Sequence, residues 1–451
     1  MHNRARIGGV FAAVLACVAS GCSSDGLLLS RDDTVTVSIA IVENAQMRDA
    51  ISLASEFEKE NPNIELEFVL LSENEARETI ATAVSTAADD FDVVMISNYE
   101  TEQWAENGWL RDLSGYIRAT PGYDVDDFIP SLRQSLSYDG AMYSVPFYGE
   151  SSFLMYRRDL FDAAGIAMPE QPTWDQVGEF ASRLDDKPNG LSGICLRGKP
   201  GWGEVLAPLD TVINTFGGRW YDEQWNAQLT SPEVTRAVDF YVDLVRRYGQ
   251  PGAATSGYLE CATELAHGRT AMWYDATAAV SMLEDPQTSE VVGKIGYAPA
   301  PVMYSEHSGW LYTWSLGIPA SSRNADAAWE FASWMTSKEY IRMVGERLGW
   351  AHVPPGSRIS TYEIPEYEAA SVAYGPLTLA AMEAANPDQP TLLPVPYNGV
   401  QFLTIPEFDV LGNRVSQQIS DAIAGRKAVG DALVQAQGYA AAVGDTHRTQ
   451  R

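Results

Sequence analysis

The chain has 451 residues, 45% of them apolar and 10% aromatic, enough to bury a large core and to form two or three domains at roughly 100–200 residues each. Its 31 Lys and Arg stand against 60 Asp and Glu, a formal net charge of −29. A polyanion of this size repels phosphate backbones and anionic lipid headgroups, which sets nucleic-acid binding aside. The five histidines are scattered singly with no HExxH or His-x-His pair, so no metal centre is expected.

The first thirty residues read as an address. Arg4 and Arg6 precede an apolar run over 7–18, too short to span about 30 Å of hydrocarbon but suited to a signal-peptide core. Ala19-Ser20-Gly21-Cys22 follows, small residues ending in cysteine as in the bacterial lipobox, which makes Cys22 the candidate lipid attachment site after removal of residues 1–21. An ordinary secretory cleavage nearby is the alternative, and Cys17 is the modified residue only if the apolar core is cut short. Residues 22–33 then serve as a tether. An extracytoplasmic location leaves Cys195 and Cys261 where a disulfide forms if their Cα atoms lie within about 7 Å, and two separate buried thiols if they do not.

From residue 34 onward strands and helices alternate. Period-2 alternation of Val35, Val37, Ile39 and Ile41 predicts a strand over 34–42, and the spacing of Met47, Ile51, Ala54 and Phe57 predicts a helix over 47–57. A strand over 64–71, a helix over 75–87 and an all-apolar strand over 91–96 complete a β-α-β-α-β run of the kind that builds a parallel sheet. Further strands are expected over 143–147, 152–156, 193–196, 270–274, 294–298 and 311–318. Helices are expected over 174–184, from Ser231-Pro232 to Gly249, and over 325–336, 338–345 and 429–443. The fold class is therefore α/β with helical decoration.

Catalytic motifs fail on inspection. Gly193 to Lys199 matches GxxxxGK by letter, but Pro200 replaces the Ser/Thr that would hold magnesium and lacks an N–H for phosphate. Gly149-Glu150-Ser151-Ser152 lacks the second glycine of a nucleophile elbow. Glycoside hydrolysis needs only two acids and aromatic platforms, which Glu150, Glu204 and Asp275 are able to supply, so it stands as the enzymatic alternative. The chain is otherwise expected not to be an enzyme and to carry no cofactor.

Polar-aromatic clusters interrupt the alternation where loops should face a cleft: Glu43-Asn44, Asn98-Tyr99-Glu100, residues 147–151, 197–204, 273–276, 310–314 and 350–356. Each alone is explained by core filling and solvated charge. Together they suit a ligand rich in hydroxyls, whose C–H faces pack on aromatic rings and whose O–H groups meet Asp, Glu, Arg and Asn.

The stretches PFYGESS (146–152), MYRRDLFDAAG (155–165), ICLRGKPGWGE (194–204), FGGRWYDEQW (216–225), AMWYDAT (271–277), GWAHVPPGSR (349–358), PVPYNGVQF (394–402) and IPEF (405–408) span the chain. On them the sequence resembles the extracellular solute-binding proteins of ABC importers, the family of the maltodextrin binders, and within it the sorbitol and mannitol binders. The segment around Cys261, GYLECATELAHG, departs from that pattern.

The resemblance implies a periplasmic-binding-protein-like fold, two α/β lobes joined by a three-crossing hinge with the ligand between them. Lobe 1 is expected over 34–147 plus 303–358 and lobe 2 over 148–302 plus 359–445. It implies capture of a polyol of the sorbitol, mannitol, arabitol or xylitol class, or alternatively of a cyclic mono- or disaccharide. Implied partners are ABC permease subunits and the membrane through the lipid anchor, with the protein a monomer. The ligand-binding residues expected are Asn44, Tyr99, Glu100, Tyr148, Glu150, Arg197, Trp202, Trp273, Asp275 and Trp314. In this reading Arg197 donates to neighbouring hydroxyls, Asp275 and Glu150 accept, and Trp202 and Trp314 pack the carbon chain.

Overall fold

The computed structural model describes residues 34–449, so Cys22 and the signal peptide expected over residues 1–21 lie outside the described residues. Among the described residues there are ten strands: β1 (Val35–Val42), β2 (Ile64–Leu71), β3 (Val93–Ser97), β4 (Ser137–Tyr138), β5 (Ala141–Met142), β6 (Ser144–Glu150), β7 (Ser152–Arg157), β8 (Met272–Ala276), β9 (Ile295–Pro299) and β10 (Tyr312–Gly317). A five-stranded sheet has the order β2-β1-β3-β10-β6, and a three-stranded sheet the order β8-β7-β9.

In the larger sheet β1 runs parallel to β2 and β3, as expected for strands joined by helical crossovers, while β10 runs antiparallel to β3 and β6. The interior strand β1 buries Val37, Ile39 and Ile41 completely, and every residue of the central strand β3 is buried, the pattern of strands covered on both faces. The smaller sheet is antiparallel throughout. Only Ser151 separates β6 from β7, so the chain changes sheet within one residue of Glu150.

Three helices begin where the parallel strands end: α1 (Ala45–Glu60) after β1, α2 (Glu73–Ser85) after β2 and α3 (Asn98–Glu106) after β3. Asn44 caps α1, its side chain accepting from the Met47 N–H at 2.9 Å, which starts the helix two residues before the apolar periodicity does. The start of α3 corrects an expectation. Asn98-Tyr99-Glu100 is not a cleft loop but the first turn of a helix, closed by a capping box between Ser97 and Glu100. The expected strand over 193–196 is reduced to a single bridge between Cys195 and Trp273. The helix after Ser231 spans Pro232–Tyr248, with the serine side chain capping Val234 N–H.

Cys195 and Cys261 are bonded to each other, with Cα atoms 5.6 Å apart and both side chains fully buried. Among the described residues no helix is long and apolar enough to cross a membrane, and no group of three or more His, Cys, Asp or Glu is placed to hold a metal ion.

Candidate functional site: a charged and aromatic cavity

In open α/β sheets the ends of parallel strands gather into a crevice, and here the first turns after β1, β2 and β3 deliver Glu43 and Asn44, Glu73 and Arg77, and Tyr99 and Glu100 to the same region. The opposing side comes from the end of β6, from residues 197–204, from β8 and from the helix Tyr258–Ala266. Between them lies a narrow cavity of about 40 Å³. It is a slot rather than a bowl. Asn44, Glu73, Arg77, Tyr148, Glu150 and Arg197 present polar groups to it, and Trp310, Tyr312, Trp314 and Phe402 present rings.

Arg197 is held from behind. Its Nε and Nη2 donate to Asp275 at 2.8 and 2.5 Å, Nη1 donates to the Gly203 carbonyl at 2.8 Å, and its guanidinium carbon sits 5.1 Å from the Tyr258 ring centre. Burial works against the charge, but Asp275, Glu73 and Glu204 outweigh it and hold the guanidinium well above its ordinary pKa. Strand alternation explains the back wall: Trp273 and Asp275, two apart on β8, share a face, and the indole N–H donates to Asp275 at 3.0 Å.

A second guanidinium faces the first. Arg77 donates to Glu100 at 2.8 Å, to Glu73 at 2.8 Å and to the Tyr312 hydroxyl at 2.7 Å. It lies 3.9 Å from the Trp202 ring centre and 5.3 Å from that of Trp314, a cation between aromatic faces. Glu73 stands between the two cations, 3.9 Å from Arg197 on its other oxygen.

Glu150 differs from every other acid here. It lines the cavity, is 7% exposed, and receives no hydrogen bond and no ion pair within 4 Å from any described residue. Burial pushes its carboxyl well above the carboxylate range; Arg197 opposes this, and Asp275 and Glu73 add to it. Beside it, Asn44 Nδ2 donates to the Tyr148 hydroxyl at 3.1 Å, leaving the phenolic hydrogen available. The Gln401 carbonyl accepts from Tyr99 at 3.3 Å.

Of the ten expected binding residues, Asn44, Tyr148, Glu150, Arg197 and Trp314 line the cavity. The other five stand behind it. Glu100 is consumed by its cap and Arg77, Tyr99 supports Gln401, Trp202 stacks beneath Arg77, and Trp273 and Asp275 anchor Arg197. Asp275 is fully buried with both oxygens engaged by Arg197, the Trp273 indole and the Ala276 N–H. Glu204 likewise is held by Lys199 at 3.1 Å and by Tyr258 N–H at 3.2 Å; of the three acids proposed for glycoside hydrolysis, only Glu150 reaches the cavity.

Sequence reading missed Glu73, Arg77, Tyr258, Tyr312, Gln401 and Phe402. Tyr312 lay inside the 310–314 cluster and the last two inside PVPYNGVQF. Glu73 and Arg77 lie four apart on α2, and the expected helix over 75–87 left Glu73 outside it.

The model of the family described as bacterial extracellular solute-binding protein matches residues 43–341. The chain is 43% identical to a mannitol-binding protein of Pseudomonas aeruginosa over 426 residues, 94% of this chain and 96% of that protein. It shares 42% identity and a TM-score of 0.89 with an ABC transporter solute-binding protein of Agrobacterium vitis S4 crystallised with D-mannitol, over 92% of this chain and 98% of that one. A counterpart from Agrobacterium radiobacter K84 in complex with ribitol, 24% identical, has the same fold at a TM-score of 0.81, over 91% of this chain and 99% of that one. The chain therefore belongs to the bacterial extracellular solute-binding proteins.

Proposed function

We propose that this protein is the substrate-binding component of an ABC importer that captures a linear sugar alcohol of the sorbitol, mannitol, arabitol or xylitol class and delivers it unaltered to the membrane permease. The observation that carries the reading is Glu150. It is a buried carboxyl without a protein hydrogen bond, set in a narrow slot beside a pre-oriented guanidinium and an aromatic wall. A hydroxyl both donates and accepts, so one carbon of a polyol satisfies Glu150 while the next takes an Arg197 N–H. Trp310, Tyr312 and Trp314 pack the C–H flanks. The mannitol bound by the Agrobacterium vitis protein, 42% identical to this chain, supports the same ligand class.

In this reading Asn44, Tyr148, Glu150, Arg197 and Trp314 touch the ligand. Tyr99, Glu100, Trp202, Trp273 and Asp275 hold those groups in place. Residues 34–147 with 303–358 and 148–302 with 359–445 act as the two lobes, and their closure carries the signal to the permease. Cys22 carries the lipid that keeps the protein at the outer face of the cytoplasmic membrane, and the protein works as a monomer without chemistry of its own.

A thermal-shift screen over polyols and cyclic sugars, with product analysis after incubation, tests the reading. A rise in melting temperature with polyols and no product is expected. Turnover of a glycoside, or a response to pyranoses alone, overturns it.

A further inference from the structure

Acids outnumber cations around the cavity, and one of these acids, Glu150, has no cation paired to it. Asp275 takes the Arg197 guanidinium on both oxygens. Glu73 and Glu100 flank Arg77, Glu204 takes Lys199, and at the rim Glu43 holds Arg48 at 2.6 Å. Every cation near the slot thus has its own carboxylate, and Glu150 has none. The two guanidinium groups that would attract an anionic ligand are already neutralised inside the protein.

Resting on the polyol reading above, we propose that Glu150 is the charge filter of this cavity: it admits an aminated sugar alcohol alongside the neutral one and excludes the corresponding sugar acid. An ammonium placed against Glu150 supplies the counter-charge that the protein withholds, in a site where burial strengthens the attraction. A carboxylate or phosphate at the same place meets an acid and finds no unpaired cation, and it must shed its hydration to do so. Burial, with Asp275 and Glu73 adding to it and Arg197 and Arg77 opposing it, raises the Glu150 carboxyl, so an ammonium set against it restores the charged form.

Calorimetric titration of the purified protein at neutral pH with D-mannitol, 1-amino-1-deoxy-D-mannitol and D-mannonate tests this. The amine is expected to bind within about tenfold of mannitol and the acid about a hundredfold more weakly or not at all. Glu150→Gln is expected to lower the amine-to-mannitol affinity ratio by about tenfold, and Glu150→Asp, which keeps the charge, to retain the preference. Mannonate binding as tightly as mannitol, no binding of the amine, or an unchanged ratio in the Gln variant overturns the filter. If the amine binds while mannitol does not, the filter stands and the neutral-polyol reading falls. If none of the three binds, both fall.

Discussion

Arg197 and Asp275, 78 residues apart in sequence, meet in a two-pronged ion pair with N–O distances of 2.8 and 2.5 Å, and neither side chain is more than 5% exposed. The carboxylate spends its hydrogen-bonding capacity on the guanidinium, the Trp273 indole and the Ala276 N–H. What reaches the cavity is a guanidinium whose plane is already set, so that ligand binding does not have to order it.

Asp275→Asn removes the charge but keeps the shape. It is expected to weaken polyol binding by roughly tenfold or more and to lower stability by about 3 kcal/mol, because a buried cation loses its partner. Calorimetry and denaturant melts of the same variant measure the two effects separately.

The segment carrying Trp202 comes very close to α2. A Cβ on Gly203 would stand 2.5 Å from a Glu73 carboxylate oxygen and 2.6 Å from Arg77 Nε. Gly203→Ala is therefore expected to cost about 1–3 kcal/mol of the contact between these segments, read as a loss of ligand affinity of roughly tenfold or more. Full affinity in this variant would show that the approach is not needed for binding.

The disulfide lies two residues before Arg197 and three after Tyr258, whose ring faces that guanidinium. It closes a loop with a sequence separation of 66, for which chain entropy accounts for about 4 kcal/mol of stability. The Cys195→Ala, Cys261→Ala double variant should lower the unfolding free energy measured in denaturant by about that amount, and also weaken binding as Tyr258 loosens over Arg197. Unchanged affinity at reduced stability would confine the bond to a structural role.

His352 Nδ1 meets Asp49 at 2.9 Å. That hydrogen bond raises the imidazole pKa above its ordinary 6.5, against the opposing effect of burial. A raised pKa in the folded state means that the stabilisation is complete below about pH 6.5 and is lost as pH rises through the higher folded value. Thermal melts between about pH 5.5 and 8.5 should show this decline, and His352→Gln should flatten it.

Most strands were legible in the chain itself, while helices such as Leu206–Thr215 and Phe408–Ile423 were not expected. Hydrophobic periodicity is local, so β1, α1, β2 and β3 could be read directly, and some of the aromatic-polar clusters, such as 147–151 and 310–314, hold residues that line the cavity. Which member of each cluster faces inward was not legible. That depends on how distant segments pair: Asp275 looks like an acceptor until Arg197 is laid against it, and Glu100 until a capping box and Arg77 take it. Arg77 itself carries no local mark, because a helical Glu-Arg pair becomes a cavity wall only when Trp202, over a hundred positions along the chain, stacks on it. Periodicity and composition belong to short windows of sequence, whereas the exposure and partners of a charged group are properties of the packed whole.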